Sequence, residues 1–434
     1  MKYIVILLSL ILSSCITVST GGDHQIYKLD QRIEQRAHVQ EDWGYWEAMK
    51  HLDLEPGDVK QHSTAKAQFA QALELMLNGS HTAATPILAE LVEDSEDSTM
   101  ISNAGLLLYG IYMQNYDWEA LIALDQQLPG GLDDLNTIDL VKAWSSGSSE
   151  RIQYPQTPQT LPIERSISGV PSVKVKVNGV EQTFWIDTGA SFTVLSSDIA
   201  EKCGVKTIEG SEAKVGTSTD AVIDLGAGIV EKLEIGDLSM ENHPTYIIPK
   251  ENLELRLFKI FKLVKVDGIL GWNAIQNLKL DIDYLNNTLE ISKPEPTTYP
   301  ERNLHYLTVP FVSMKDTSGV RMPFFIDTGA NSTNLYPAAF ALFDTSSASW
   351  TTSKVAGAGG FQNVSKFTLS DQSLLLGNTR IDFSEIDGMP MLGNPDEGFV
   401  SFYGVLGSDI AKGGRLILDY QNGWCGLEPI QLDE

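Results

Sequence analysis

The residues of this sequence best suited to chemistry are two aspartates, Asp187 and Asp327, because each closes the same string. Phe184-Trp185-Ile186-Asp187-Thr188-Gly189-Ala190 returns 140 residues later as Phe324-Phe325-Ile326-Asp327-Thr328-Gly329-Ala330. A lone Asp-Thr-Gly reads as a turn after a strand, with Asp supporting the backbone and Gly supplying positive φ. Two copies behind one apolar run call for more. Carboxyls held face to face cannot both ionise, so they share one proton. The ionised member can take a proton from water while the protonated one polarises a carbonyl, a division of labour that one carboxyl cannot manage. No metal or cofactor is expected. The seven His are scattered without an HExxH pattern, and Cys203 and Cys425 are spaced wrongly for a Cys-rich zinc site. Those two cysteines read as buried free thiols, with a disulfide left open.

Holding two such loops in register takes two copies of one scaffold. Asp267-Gly268-Ile269-Leu270-Gly271 returns as Tyr403-Gly404-Val405-Leu406-Gly407, 136 residues on. Downstream of each, an apolar stretch ends in Asp-Tyr: Leu280 to Tyr284 and Leu416 to Tyr420. Between the motifs each copy holds a Leu-rich strand entering a Gly turn, Leu233-Glu234-Ile235-Gly236 and Leu374-Leu375-Leu376-Gly377. Four landmarks in one order define an internal repeat. The texture of the repeats is β. Val173, Val175 and Val177 alternate with Lys174, Lys176 and Asn178, and Asn178-Gly179 signals a hairpin. Phe184, Trp185, Ile186 and their counterparts Phe324, Phe325, Ile326 would bury the strands leading to the aspartates.

A chain of 434 residues has room for roughly three domains. The repeats fill the C-terminal part, and the region before them has a different period. Ala65, Phe69, Ala72, Leu73, Met76 and Leu77 recur at three- and four-residue steps, which predicts a helix ended by Asn78-Gly79. Ala83 to Leu91, Thr99 to Met113 and Asp117 to Leu128 predict three more, with Pro129-Gly130-Gly131 as the stop. The breaks at Gly79 and Asn115 lie 36 residues apart. That spacing is similar to tetratricopeptide-type helical hairpins, whose concave face would suit a protein partner; a generic small α-domain is the other reading. Ser, Gln and Pro between 145 and 165, and Pro294, Pro296 and Pro300 in a second stretch, read as linkers.

Charge excludes some partners. With 31 basic and 57 acidic residues the formal net charge is −26, which repels both nucleic acid and anionic lipid heads. Membrane attachment would need another device. Met1-Lys2 followed by the nine-residue apolar run Ile4 to Leu12 is too short to span a bilayer and fits a secretory signal. Leu12-Ser13-Ser14-Cys15 then resembles the lipobox of bacterial lipoproteins, in which Cys15 would be acylated and become the mature N-terminus. Ile16 after the cysteine, rather than Asp, implies sorting to the outer membrane, facing the periplasm, in a Gram-negative cell.

The paired Asp-Thr-Gly and apolar-apolar-Gly motifs resemble the pepsin and retropepsin superfamily of aspartic proteases over roughly residues 165 to 430. The resemblance implies a catalytic dyad of Asp187 and Asp327. It also implies support from Gly189 and Gly329, which let the backbone pass close, and from Thr188 and Thr328, whose hydroxyls would interlock across the axis. It implies a β-hairpin flap over a peptide substrate. Candidates are Val215 to Ala221, with Gly216, and Val355 to Asn363, with Gly357, Gly359 and Gly360. Neither holds the tyrosine of eukaryotic pepsins, so the likeness is closer to retropepsins. Pepsins that act in acid often carry Ser or Thr after Asp-Thr-Gly. Ala190 and Ala330 stand there in this chain and offer no such donor, so activity is expected at mildly acidic to near-neutral pH.

The expected architecture is multidomain α plus β. A signal peptide at 1–14 precedes a lipid-anchored helical domain at 15–145. A linker at 146–164 leads to a first lobe at 165–293, an inter-lobe linker at 294–303 and a second lobe at 304–434. The two lobes would be pseudo-symmetric retropepsin-like β-barrels. The functional expectation is a membrane-anchored aspartic endopeptidase acting on peptide or protein substrates, with a non-catalytic peptide-binding scaffold of the same fold as the alternative.

Overall fold

The computed structural model describes residues 16–17, 24–40, 43–54, 63–132, 137–166, 169–216, 222–257, 261–265, 267–346, 348, 350–357, 360–389 and 398–429. The expected signal segment 1–14, the lipidation candidate Cys15 and the flap candidate Gly359 lie outside them.

Six helices precede the repeats among these residues: α1 Tyr45–Lys50, α2 Thr64–Leu77, α3 His81–Asp94, α4 Ser98–Asn115, α5 Trp118–Gln127 and α6 Thr137–Ser145. Their starts follow from side-chain caps. The Ser63 hydroxyl accepts from the Lys66 N–H, Asp97 from Thr99 and Met100, and Asp117 from Ala120. Gly79 takes a φ of +76° where α2 ends. From α2 onward successive helices pack on one another around Phe69, Leu73, Leu88, Leu107, Leu108 and Leu121. Helices α1 and α6 lie outside the four helices that the apolar periodicity predicts. Both are short, and α6 is ordered by what its Leu140, Val141 and Trp144 bury against the β-structure.

The β-structure forms two large sheets, one of 13 and one of 10 strands among the described residues. The predicted hairpin is present: Pro171–Val177 pairs antiparallel with Val180–Ile186 through Asn178 and Gly179, at φ 49° and 81°. The Leu-to-Gly landmarks are also turns. Gly236 and Gly377, at φ 59° and 60°, each join a long strand to its antiparallel partner.

The 146–164 stretch departs from the expected linker. Arg151–Gln153 pairs with Ser239–Glu241, and Gln159–Arg165 lies between Thr288–Ser292 and Pro171–Val177. Pro155 and Pro158 fall in the gap between these two strands, and sheet neighbours remote in sequence order the rest. The 294–303 stretch carries no helix or strand. Its last residue, Asn303, is buried and holds the backbone of Cys425 by two hydrogen bonds of 2.8 and 2.9 Å.

The repeats are joined at their C-terminal strands. Lys279–Asp283 pairs antiparallel with Gly414–Asp419, so one sheet runs from the first repeat into the second. His24–Lys28 adds an edge strand beside Thr379–Gly388. Cys203 and Cys425 are both free and buried, and burial raises both thiol pKa values.

Candidate active site

Each aspartate leaves the end of a buried strand whose partners repeat in register. In the first repeat Gly268–Leu270 lies parallel to Phe184–Ile186 and antiparallel to Val194–Leu195. In the second, Gly404–Gly407 lies parallel to Phe324–Asp327 and antiparallel to Asn334–Leu335. The glycines are there because backbone crosses. A Cβ on Gly271 would stand 2.3 Å from the Phe192 carbonyl, and one on Gly407 would stand 2.7 Å from the Ser332 carbonyl. Backbone cannot yield as a side-chain end can. Gly407→Ala is therefore expected to destabilise the chain by at least the ~1–3 kcal/mol of ordinary overpacking. Denaturant titration measures it, and a loss below ~0.5 kcal/mol, the scatter of a neutral surface change, would contradict the close crossing.

The two Asp-Thr-Gly turns meet directly. The Thr188 N–H donates to the Thr328 hydroxyl and the Thr328 N–H to the Thr188 hydroxyl, both at 3.0 Å. Each hydroxyl donates in turn to the opposite strand: Thr188 to the Ile326 carbonyl and Thr328 to that of Ile186, both at 2.8 Å. All four bonds are buried. Asp187 Oδ1 accepts from the Gly189 N–H, and Asp327 Oδ1 from Gly329 and Ala330, at 2.9 to 3.0 Å. Fixed N–H donors at one carboxyl oxygen set its orientation. Asp187 and Asp327 are both 0% exposed.

The structure thus gathers Asp187, Thr188, Gly189, Asp327, Thr328 and Gly329 into one junction. Of the flap residues, Gly216 pairs with Val222 at the loop end of a hairpin, and Gly357 pairs with Gly360 at the loop end of another. Among the described residues no group of His, Cys, Asp or Glu is arranged to hold a metal ion. None of the described helices is long and apolar enough to cross a membrane.

Two features went unread in the sequence. The first lies behind each turn. Asn273 Oδ1 accepts from the Thr193 N–H and hydroxyl, and Asp409 accepts from Thr333 in the same way. These pairs keep the 140 and 136 offsets of the main motifs, so extending the repeat would have found them. Only the first copy carries His243, wholly buried, whose Nε2 meets the Thr193 hydroxyl at 2.7 Å and whose Nδ1 meets Glu150. Nothing in the sequence joins those two residues.

The second feature is a seam of histidines between the N-terminal region and the second repeat. His305 bonds the Leu77 carbonyl and the Ser313 hydroxyl, and His81 meets the Tyr306 carbonyl. His38 and His51 both meet the Tyr403 hydroxyl. Burial, with the Arg321 guanidinium adding to it, pushes His305 down to about 3. The folded chain then excludes a proton that the unfolded chain accepts near pH 6.5. Stability is full above pH 6.5 and falls as pH drops towards 3, by up to about 1.4 kcal/mol per pH unit from this group. Thermal unfolding between pH 7.5 and 5 is expected to show a steeper loss for wild type than for His305→Gln. Equal slopes would contradict the assignment.

Residues 173–274 match the family model described as aspartyl protease, a span that contains Asp187 and the Gly268–Gly271 strand. The UBA domain-containing protein Mud1 of Schizosaccharomyces pombe is 30% identical over 124 residues, 28% of this chain and 33% of that protein. The chain thus spans about a third of the length of the curated relative it matches. A retropepsin-like aspartic protease from Rickettsia conorii is 18% identical, with 34% of this chain and 96% of that chain covered at a TM-score of 0.22. An aspartic proteinase from Irpex lacteus is 13% identical, with 63% of this chain and 97% of that chain covered at a TM-score of 0.38.

Proposed function

We propose that this chain is an aspartic endopeptidase, built of two pseudo-symmetric lobes, in which Asp187 and Asp327 form one catalytic pair. The observation that carries this reading is the reciprocal Thr188–Thr328 junction, which ties the two aspartate turns to each other. In the proposed reaction the ionised carboxyl takes a proton from a water molecule, and the water oxygen bonds to the scissile carbonyl carbon. The protonated carboxyl donates to the carbonyl oxygen. A proton then passes to the departing nitrogen as the C–N bond breaks, leaving a carboxylic acid and an amine. The shared proton is restored to the pair, so no cofactor is consumed. The aspartyl protease match over 173–274 supports the peptide substrate class.

The test is incubation of the chain with a denatured protein mixture and mapping of new termini, beside Asp327→Asn. Cleavage products absent from the variant are expected. The same products from both would overturn the reading. Complete burial of both carboxyls also fits a non-catalytic peptide-binding scaffold. That reading expects no products from either chain, and none even when the helices are loosened as described below.

The N-terminal segment is proposed to anchor the enzyme to the periplasmic face of the outer membrane through lipid on Cys15. Metabolic labelling with a fatty-acid analogue is expected to mark wild type and not Cys15→Ala. An unlabelled wild-type chain would remove the anchor.

A further inference from the structure

Side chains alternate across a strand, so residues 325 and 327 of Arg321–Asp327 share one face while 324 and 326 share the other, and the matching Trp185 and Phe184 divide in the same way. The structure separates these faces into two hydrophobic clusters. Phe184, Ile186, Leu270, Phe324, Ile326 and Leu406 lie in the interior of the repeats. Trp185, Ile269, Phe325 and Val405 lie in the other cluster, on the face that carries Asp187 and Asp327. That second cluster also holds the buried side chains of α2 to α6.

The contacts are direct and reach both repeats. Trp144 of α6 stacks on Phe192, five residues past Asp187, with ring centroids 4.8 Å apart and planes 10° from parallel. It also packs on Tyr246, and its indole N–H donates to the Gly228 carbonyl at 3.1 Å. Against the second repeat, a Cβ on Gly110 in the middle of α4 would stand 1.7 Å from the Leu307 carbonyl oxygen. Glycine is a poor residue for a helix interior, and here it lets the helix backbone meet the chain leading into the Pro310–Lys315 strand. Phe69 of α2 packs on Phe399 at 5.4 Å.

We propose that helices α2 to α6 are a built-in plug, seated on the face of both repeats that carries Asp187 and Asp327, so that a polypeptide reaches those carboxyls only after the helical module is displaced. The proposal rests on the peptidase reading above for its consequence, and on the packing alone for its geometry. The zero exposure of Asp187 and Asp327 is the condition it accounts for. A module that only recruited a partner would not need to bury its aromatic face beside the catalytic turns.

Gly110→Ala and Gly110→Leu test it in the full chain. Both residues favour helix over glycine, so α4 itself is kept while its seat on Leu307 is blocked. Trp144→Ala loosens the other end. Backbone hydrogen exchange, read in an Asp327→Asn background to prevent self-digestion, is expected to show faster exchange over residues 188–194 and 325–330 in all three. Hydrolysis of labelled casein by the same variants with Asp327 intact is expected to rise at least about tenfold over wild type, in step with the open population.

Unchanged exchange at the aspartate turns, with exchange in α4 or α6 accelerated, would overturn the plug whatever the activity. So would unchanged exchange everywhere in Gly110→Leu, because the close seat would then not exist. Slower hydrolysis in the loosened chains would make the helices a wall of the substrate site and would also overturn it. Faster exchange at the turns with no hydrolysis would leave the plug standing and sink the peptidase reading.

Discussion

Thr188→Val is expected to be among the most destabilising single changes in this chain. The Thr188 hydroxyl donates to the Ile326 carbonyl and accepts from the Thr328 N–H, so valine leaves two buried backbone groups without those partners. At ~1–3 kcal/mol for each orphaned group, the cost is about 2–6 kcal/mol. Valine fills nearly the same volume, so packing does not explain such a loss. Thr188→Ser keeps the hydroxyl and gives up one methyl, for about 1 kcal/mol. Thr328→Val should behave like Thr188→Val, because its bonds to Ile186 and to the Thr188 N–H mirror them. Denaturant titration of these three variants and of Thr328→Ser is the measurement. Valine variants no less stable than the serine ones would show that the junction between the turns contributes little.

The largest effect on function is expected at the carboxyls. Asp187→Asn and Asp327→Asn should each lower casein hydrolysis by on the order of 10⁴-fold or more, since removing one member of a catalytic unit costs nearly the whole effect. The comparison is best made in the Gly110→Ala background, where the wild-type aspartates are expected to give the larger signal. Stability should change little. Asparagine retains an oxygen that can accept from Gly189 in one turn, or from Gly329 and Ala330 in the other. The double variant should be no worse than either single one. A single variant with near wild-type turnover, in a preparation free of other proteases, would rule out a shared pair.

The seam of histidines links these results to pH. His305 and His81 hold the helical module to the second repeat as neutral rings, since burial lowers both. Acidification therefore loosens the seat that Gly110 makes close. Hydrolysis measured against pH should rise less steeply towards acid in Gly110→Ala than in wild type, because the variant no longer depends on that release.

The amino-acid sequence by itself determined the repeat and most of its local structure. Strand alternation at Val173 to Val177, the Asn178-Gly179 turn and the caps at Ser63, Asp97 and Asp117 are set by neighbours a few residues away. That the two Asp-Thr-Gly turns belong together could be read because duplication wrote one signal twice. Tertiary structure alone decided what lies against those turns. The strands at 151–153 and 159–165 exist because distant edges were there to pair with, and their own residues carry no period. Helix α6 forms in nine residues because Trp144 finds Phe192 and Tyr246. Gly110 looks like a defect in a helix until Leu307 is beside it. An apolar stripe records that a face will be buried and leaves its partner unspecified, since hydrophobic burial has no direction. Whether the helices of this chain stand apart from the two aspartates or cover them is a matter of that partner.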